Sequence, residues 1–237
     1  MGLAIITRRS YVDPVFANNT WAQIIQACES GSVPDTWAVG DQKVMTMGDR
    51  DYPIDIIGRK HDVYSDGSGI APLTFQLHTT HYTTAGMNTE ETFNYNGWSQ
   101  TRMRLTLLPG SLFLGKMPTE VQAGLKEVDK LSYTNHMSSA SEYLCTTADK
   151  LFLLAESEIF STIEYADGSE GEQYEYYAQG NSAKKTKIGS STATSWWTRS
   201  THDGTSYAYV STSGSAYHNA SAGSYATSRG VAFAFCF

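Results

Sequence analysis

Cysteine is scarce: the 237 residues hold three, Cys28, Cys145 and Cys236, far apart. With no C-x-x-C pair there is no local seed for a zinc or dithiol redox centre, and a scattered, odd set is expected as free, partly buried thiols. Positive charge is short as well. Lys+Arg 17 against Asp+Glu 24 leaves a net charge of −7 and a pI near 5.3, so the basic footprint that a phosphate backbone demands is missing and a nucleic-acid partner is not expected. No apolar run approaches a membrane span. The short apolar stretch ahead of Arg8-Arg9 reverses the order of a secretory signal, so neither membrane insertion nor a cleaved leader is expected. A nucleophile elbow, a dinucleotide fingerprint and a Walker loop are all absent, which leaves nucleophile and nucleotide chemistry without a motif.

What the chain does have is tyrosine and glycine, 15 and 20 residues, with 12% aromatics against only 17% charged residues. That balance fits a turn-rich folded domain. After an extended arm over residues 1–18, Asn19-Thr20 is placed to cap a helix with Trp21, Ile24, Ile25 and Cys28 on one face. Alternation from Trp37 through Lys43-Val-Met-Thr-Met, the Gly48-Asp49 turn and Tyr52-Pro-Ile-Asp-Ile-Ile predicts a β-meander, and Pro72 to His78 a further strand. A second helix is predicted from Gly97-Trp98, with Trp98, Arg102, Leu105 and Leu108 at helical spacing. A third is predicted at Thr119, where Thr119 and Gln122 have capping-box spacing. Lys126 to Tyr133 and Lys150 to Leu154 read as strands. Trp21, Trp37 and Trp98 are assigned to the core. No linker or repeat divides the pattern, so residues 19–237 read as one mixed α+β domain.

The segment from Thr201 to Ser228 departs from the rest: it is Ser, Thr, Tyr, Ala, Gly, His and Asn, with Asp203 its only carboxylate and Val210 its only branched aliphatic residue. Such a segment builds no core, yet it hangs between Trp196-Trp197-Thr198-Arg199-Ser200 and Arg229-Gly-Val-Ala-Phe-Ala-Phe-Cys-Phe, which read as core anchors. Tyr207-Ala-Tyr-Val and Ser215-Ala-Tyr-His alternate around Ser213-Gly214, predicting a short hairpin with tyrosines on one side. The composition is that of antibody paratopes, in which Tyr gives contact area at low entropic cost and Ser, Gly and Asn adapt their hydrogen bonds. Candidate ligand-binding residues are Thr201, His202, Asp203, Ser206, Tyr207 and Tyr209, followed by Ser211, Ser213, Tyr217, His218, Asn219, Ser224 and Tyr225. Tyr207, Tyr217 and Tyr225 are expected exposed, and Trp197, Phe233 and Phe235 buried. Lys, Glu, Gln, Met and Trp, the residues that an Asn codon cannot reach through its first two bases, are absent from the segment. Adenine-directed hypermutation and the chance composition of a Tyr/Ser-rich loop both fit that pattern.

Trp196-Trp-Thr-Arg-Ser, Tyr209-Val210 followed by Gly214, and Ser228-Arg-Gly-Val-Ala-Phe together resemble the C-terminal part of C-type-lectin-like domains, in the variety related to formylglycine-generating enzymes. The chain is also similar to an uncharacterised domain family of bacteria and phages, through Trp37-Ala-Val-Gly-Asp, Ile54-Asp-Ile-Ile-Gly, His61-Asp62, Asn96-Gly-Trp98 and Lys150-Leu-Phe-Leu-Leu. Ala232 departs from the pattern, standing where many relatives have proline. The resemblance implies a C-type-lectin-like α+β fold, short helices around a small twisted antiparallel sheet with long irregular loops, over residues 19–237, with the ligand face in the loops of 201–228. It is similar to the variable proteins of diversity-generating retroelements, of which phage tail-tip receptor binders are the best-known members. The implied function is a display protein that binds a cell-surface protein or glycan, on a virion or cell surface and otherwise in the cytoplasm, with a homo-oligomer or a virion component as further partners. The alternatives are a structural tail or assembly module and an oxidase of the formylglycine-generating type.

The oxidase would need two neighbouring cysteines to hold copper, and the paired motif is absent here, so the chain is not expected to be an enzyme. His61, Asp62, Asp66, His78 and His81 are the candidate metal ligands by residue type. Without a helix or a third ligand of known spacing, the histidines read as solvated and Asp66-Gly-Ser-Gly as a plain turn, and neither metal nor cofactor is assigned. Arg199 is expected to hold the loop base through aromatic stacking or backbone carbonyls.

Overall fold

A computed structural model describes residues 12–89, 97–134, 141–166, 168–179, 182–202, 206–218 and 229–237. Its helices are α1 (Trp21–Glu29), α2 (Thr119–Gly124), α3 (Glu156–Ile159), α4 (Glu175–Ala178) and α5 (Ser182–Lys185). The strands are β1 (Gln42–Met47), β2 (Arg50–Arg59), β3 (Leu73–Leu77), β4 (Val128–Tyr133), β5 (Leu144–Asp149), β6 (Lys187–Ile188), β7 (Ala193–Thr194), β8 (Trp196–Thr201), β9 (Tyr207–Val210), β10 (Ala216–Tyr217) and β11 (Ala234–Cys236). They form a four-stranded sheet in the order β1-β2-β3-β11, a three-stranded sheet β10-β9-β8, and the pairs β4-β5 and β6-β7. All the pairings between these strands are antiparallel. The fold is thus mixed α+β, with short helices and small antiparallel sheets.

Local chemistry accounts for the elements. Thr20 Oγ1 accepts from Gln23 N at 3.2 Å and Gln23 Oε1 accepts from Thr20 N at 2.8 Å, a reciprocal capping box that opens α1. Trp21, Ile24, Ile25 and Cys28 are buried along its stripe, as their spacing predicts. β1 and β2 join at the Gly48-Asp49 turn with Met47 opposite Arg50. β3, covered on both sides, is buried at all five positions. The core is rich in aromatic rings: Phe16, Trp21, Trp37, Phe75, Phe235 and Phe237 touch one another around β3. Phe16, within the stretch read as an arm, therefore belongs to the core, and residues 1–11 lie outside the described part.

Three local expectations are corrected. The helix expected from Gly97 breaks into a 3-10 turn at Gly97–Gln100 and a π-helical turn at Met103–Leu107, because Met103 N donates to Met87 O at 2.9 Å rather than back along the chain. Leu105, expected on the buried face, is 52% exposed. At α2 the N-cap is Pro118, which has no side-chain acceptor, and Gln122 Nε2 reaches Met117 O at 2.8 Å, so Thr119 makes no capping box. Leu151 to Leu154 run buried through the core with only a bridge from Phe152 to Ala234, and form no strand.

Candidate functional site

The C-terminal motifs build a rigid frame. All six residues of β8 are buried, and Trp197 sits opposite Tyr209 while Thr201 sits opposite Tyr207, so β8 bulges between the two pairs. Thr198 Oγ1 donates to Ala208 O at 2.6 Å, Trp197 Nε1 to Ala85 O at 2.7 Å, and Gly230 N to Ser195 O at 2.8 Å. Gly230 lies so close to Thr80 that a Cβ would come within 2.4 Å of its Cγ2, which explains glycine after Arg229. Trp197, Phe233 and Phe235 are buried as expected.

Arg199, fully buried, spends all five of its N–H donors. Nε binds Leu131 O at 2.8 Å, and Nη1 binds Leu153 O at 2.8 Å and Glu158 Oε2 at 2.6 Å. Nη2 binds Glu158 Oε1 at 2.9 Å and Glu170 O at 2.7 Å. Lys130 Nζ pairs with Asp62 at 2.7 Å and Glu158 at 2.8 Å and donates to Tyr174 Oη at 3.1 Å. Burial pushes the Glu158 carboxyl up, but Arg199 and Lys130 together outweigh it and hold it at about 2. Burial dominates at Glu170 and raises its carboxyl to about 7. A cavity of about 320 Å³ opens over this network, lined in part by His61, Asp129 and Glu172. Its buried polar walls are already bonded to one another, so it offers few free donors.

The same frame reaches the surface. Ser200 Oγ accepts from Glu156 N at 2.8 Å and donates to Glu170 Oε2. The Glu156 carboxylate then accepts from the backbone of Glu164, Tyr165 and Ala166 at 2.6 to 3.2 Å, fixing that loop. Tyr165 is thereby held against the hairpin of β9 and β10. Its ring centroid lies 5.6 Å from His202, 6.3 Å from Tyr217 and 4.8 Å from His218. His202 and His218 lie 3.7 Å apart, and Tyr217 stands 5.5 Å from Tyr209. Tyr217 is 50% exposed and His202, Tyr165 and His218 are half-buried, so the group forms an aromatic patch at the surface. A concavity of about 260 Å³ lies alongside, lined by Phe160, Ser161, Thr162, Glu164, Lys185 and the turn at Gly214-Ser215-Ala216.

The expected binding residues therefore divide. His202, Ser211, Ser213, Tyr217 and His218 reach the surface. Thr201, Ser206, Tyr207 and Tyr209 do not: Tyr207 is 1% exposed, a correction to the expectation that it is displayed, and Tyr209, a candidate binding residue, is 9% exposed. The cause is that β9 is the middle strand of its sheet and is covered on both faces. Asp203, Asn219, Ser224 and Tyr225 lie outside the described residues. Tyr165 was not anticipated, since only the Glu156 cradle, closed over 8 to 10 residues, brings it in.

The histidines and carboxylates weighed as ligands are dispersed. Asp62 is buried in the ionic network, His78 pairs with Asp55 at 2.8 Å, and Asp66 forms an exposed turn with Ser68. His81, expected solvated, is buried against Tyr52, Tyr82 and Phe113, and burial lowers its pKa to about 4. Among the described residues no three His, Cys, Asp or Glu side chains gather as metal ligands, and all three cysteines are free thiols.

No curated protein and no solved structure matches the chain. Residues 75–237, more than half of it, match the family described as a domain of unknown function, DUF6273, and the chain belongs to that family.

Proposed function

We propose that the protein is a ligand-binding display domain of C-type-lectin-like architecture that docks a cell-surface macromolecule on the patch formed by Tyr165, His202, Tyr217 and His218. The supporting observation is an exposed aromatic patch mounted on a buried frame: Tyr217 is 50% exposed, while the neighbouring β8 is buried throughout. Preorganised aromatics of this kind bind at low entropic cost, and the hydroxyls of Ser211 and Ser213 beside them supply adaptable hydrogen bonds. The reading is of binding without turnover. Copies arrayed on a virion or in an oligomer would add avidity of about 10²–10⁴ without new contacts.

The test is a cell-binding assay with fluorescent protein, tetramerised on streptavidin, against a panel of bacterial cells. Tyr217→Ser should weaken monovalent binding to a responsive cell type about thirtyfold, the factor equivalent to a hot-spot loss of about 2 kcal/mol. EDTA should change nothing. Undiminished binding by this variant would remove the patch from consideration, and binding to none of the cells by the tetramer would favour an assembly module.

A further inference from the structure

Arg229 differs from Arg199 in one respect that bears on ligand chemistry. The residue is only 5% exposed, and its guanidinium carbon lies 4.5 Å from the centre of the Trp197 ring and 3.7 Å from that of Tyr209. The buried Nε has no hydrogen-bond partner, and none of the ion pairs among the described residues includes this cation. A guanidinium is always charged and carries five donors in a planar fork. Aromatic rings satisfy its faces but accept none of its edge protons, so an edge whose Nε is buried and unpaired is an unfilled demand for a planar acceptor. The ring of Tyr209 that carries Arg229 also touches Tyr217, at 5.5 Å, which connects the cation to the exposed patch.

We infer that Arg229 is the anion anchor of this surface and that the docked partner supplies an aspartate or glutamate carboxylate to it. The inference rests on the reading of the aromatic patch as a docking face. A carboxylate is the acceptor whose two oxygens match the fork, giving two parallel charge-assisted hydrogen bonds. An acidic side chain of a protein is favoured over an acidic sugar because Tyr209 and Tyr217, the rings that link the anchor to the patch, are of the residue type that dominates protein-recognising paratopes. Arg229 would thus confer specificity: a partner whose carboxylate is replaced by an amide would still meet the tyrosine but leave the cation unpaired.

The experiment is an NMR titration that follows the Arg229 Nε–Hε resonance of arginine-labelled protein. The probes are N-acetylglutamate N-methylamide, its glutamine counterpart and N-acetylneuraminic acid. Saturable movement with the glutamate probe, none with the glutamine probe and weaker response to the sugar acid are expected. Arg229→Lys, which keeps the charge but not the fork, should bind the glutamate probe at least tenfold more weakly while melting cooperatively. No movement with glutamate, or equal movement with glutamine, overturns the inference, and tighter binding of the sugar acid overturns the choice of a protein partner. In the cell-binding assay, loss of binding in Tyr217→Ser but not in Arg229→Lys would reject the anchor and leave the face standing. Loss in Arg229→Lys alone would do the reverse.

Discussion

Glu158 and Glu170 meet the same guanidinium but respond to it in opposite ways. Glu158 takes both Nη groups of Arg199 through its carboxylate, whereas Glu170 gives Arg199 its backbone carbonyl and turns its carboxylate to Tyr133 N and the Ser200 hydroxyl. Burial then decides at Glu170, where the carboxyl rises from its ordinary 4.5 to about 7. Between those two values the folded protein holds a proton that the unfolded chain has released. The resulting stabilisation is complete below pH 4.5 and is lost as the pH rises through 7. Glu158 contributes in the other direction: its stabilisation is present above 4.5 and drains away as the pH falls toward about 2. Glu170→Gln should therefore flatten the decline in stability between pH 5 and 8, by on the order of 3 kcal/mol at about 1.4 kcal/mol per unit. Urea unfolding across that pH range measures it, and an unchanged slope would contradict the assignment. Arg199→Met, which leaves Glu158 with Lys130 as its one remaining cation and takes a donor from the carbonyls of Leu131, Leu153 and Glu170, should cost about 3–5 kcal/mol at pH 7 by the same measurement.

At the scale of elements, the hairpin of β9 and β10 separates frame from display. Tyr207, on the covered middle strand, should cost about 3–5 kcal/mol when changed to Ala, as core aromatics do. Tyr217, on the edge strand, should cost at most about 0.5 kcal/mol. Thermal or urea denaturation of the two variants tests this, and equal losses would erase the distinction between frame and face. The hairpin itself was legible in the alternation around Ser213-Gly214; the burial of its first strand was not, because alternation marks one wet face only where no third strand or loop covers it. Thr20 was readable as a cap because capping is local, although its reciprocal bond with Gln23 was not part of that reading. The turns after Gly97 were not, since the Met87 carbonyl that diverts Met103 N comes from elsewhere in the chain. β5 carried no alternation strong enough to announce it, and its pairing with β4 is what defines it. Of the site, His202, Tyr217 and His218 were visible in composition, while Tyr165 and the role of Glu156 depend on tertiary contacts that no spacing encodes.

The whole molecule does not divide where the family match begins. That match starts at residue 75, inside β3, yet β3 pairs with β2 on one side and with β11 on the other. The N-terminal third thus supplies half of the central sheet. It also supplies Asp62, which neutralises Lys130, and the rings of Phe16, Trp21 and Trp37 that close over Phe75. A fragment of residues 75–237 would expose the edge of β3 where Ile54 and Ile56 had paired with it and would leave the buried Lys130 with Glu158 as its one remaining carboxylate. Both losses act on the ionic network and sheet that hold β8, so the aromatic patch should be lost with them. The fragment should show no cooperative thermal transition and weak near-ultraviolet circular dichroism, whereas the full chain should show a cooperative transition and a strong near-ultraviolet signal. Co-expression with residues 1–74 should restore a cooperative transition if the two pieces reassemble the sheet. A fragment that melts cooperatively alone would mean that the core around β11 is self-sufficient, and that the first 74 residues cover it without being needed to form it.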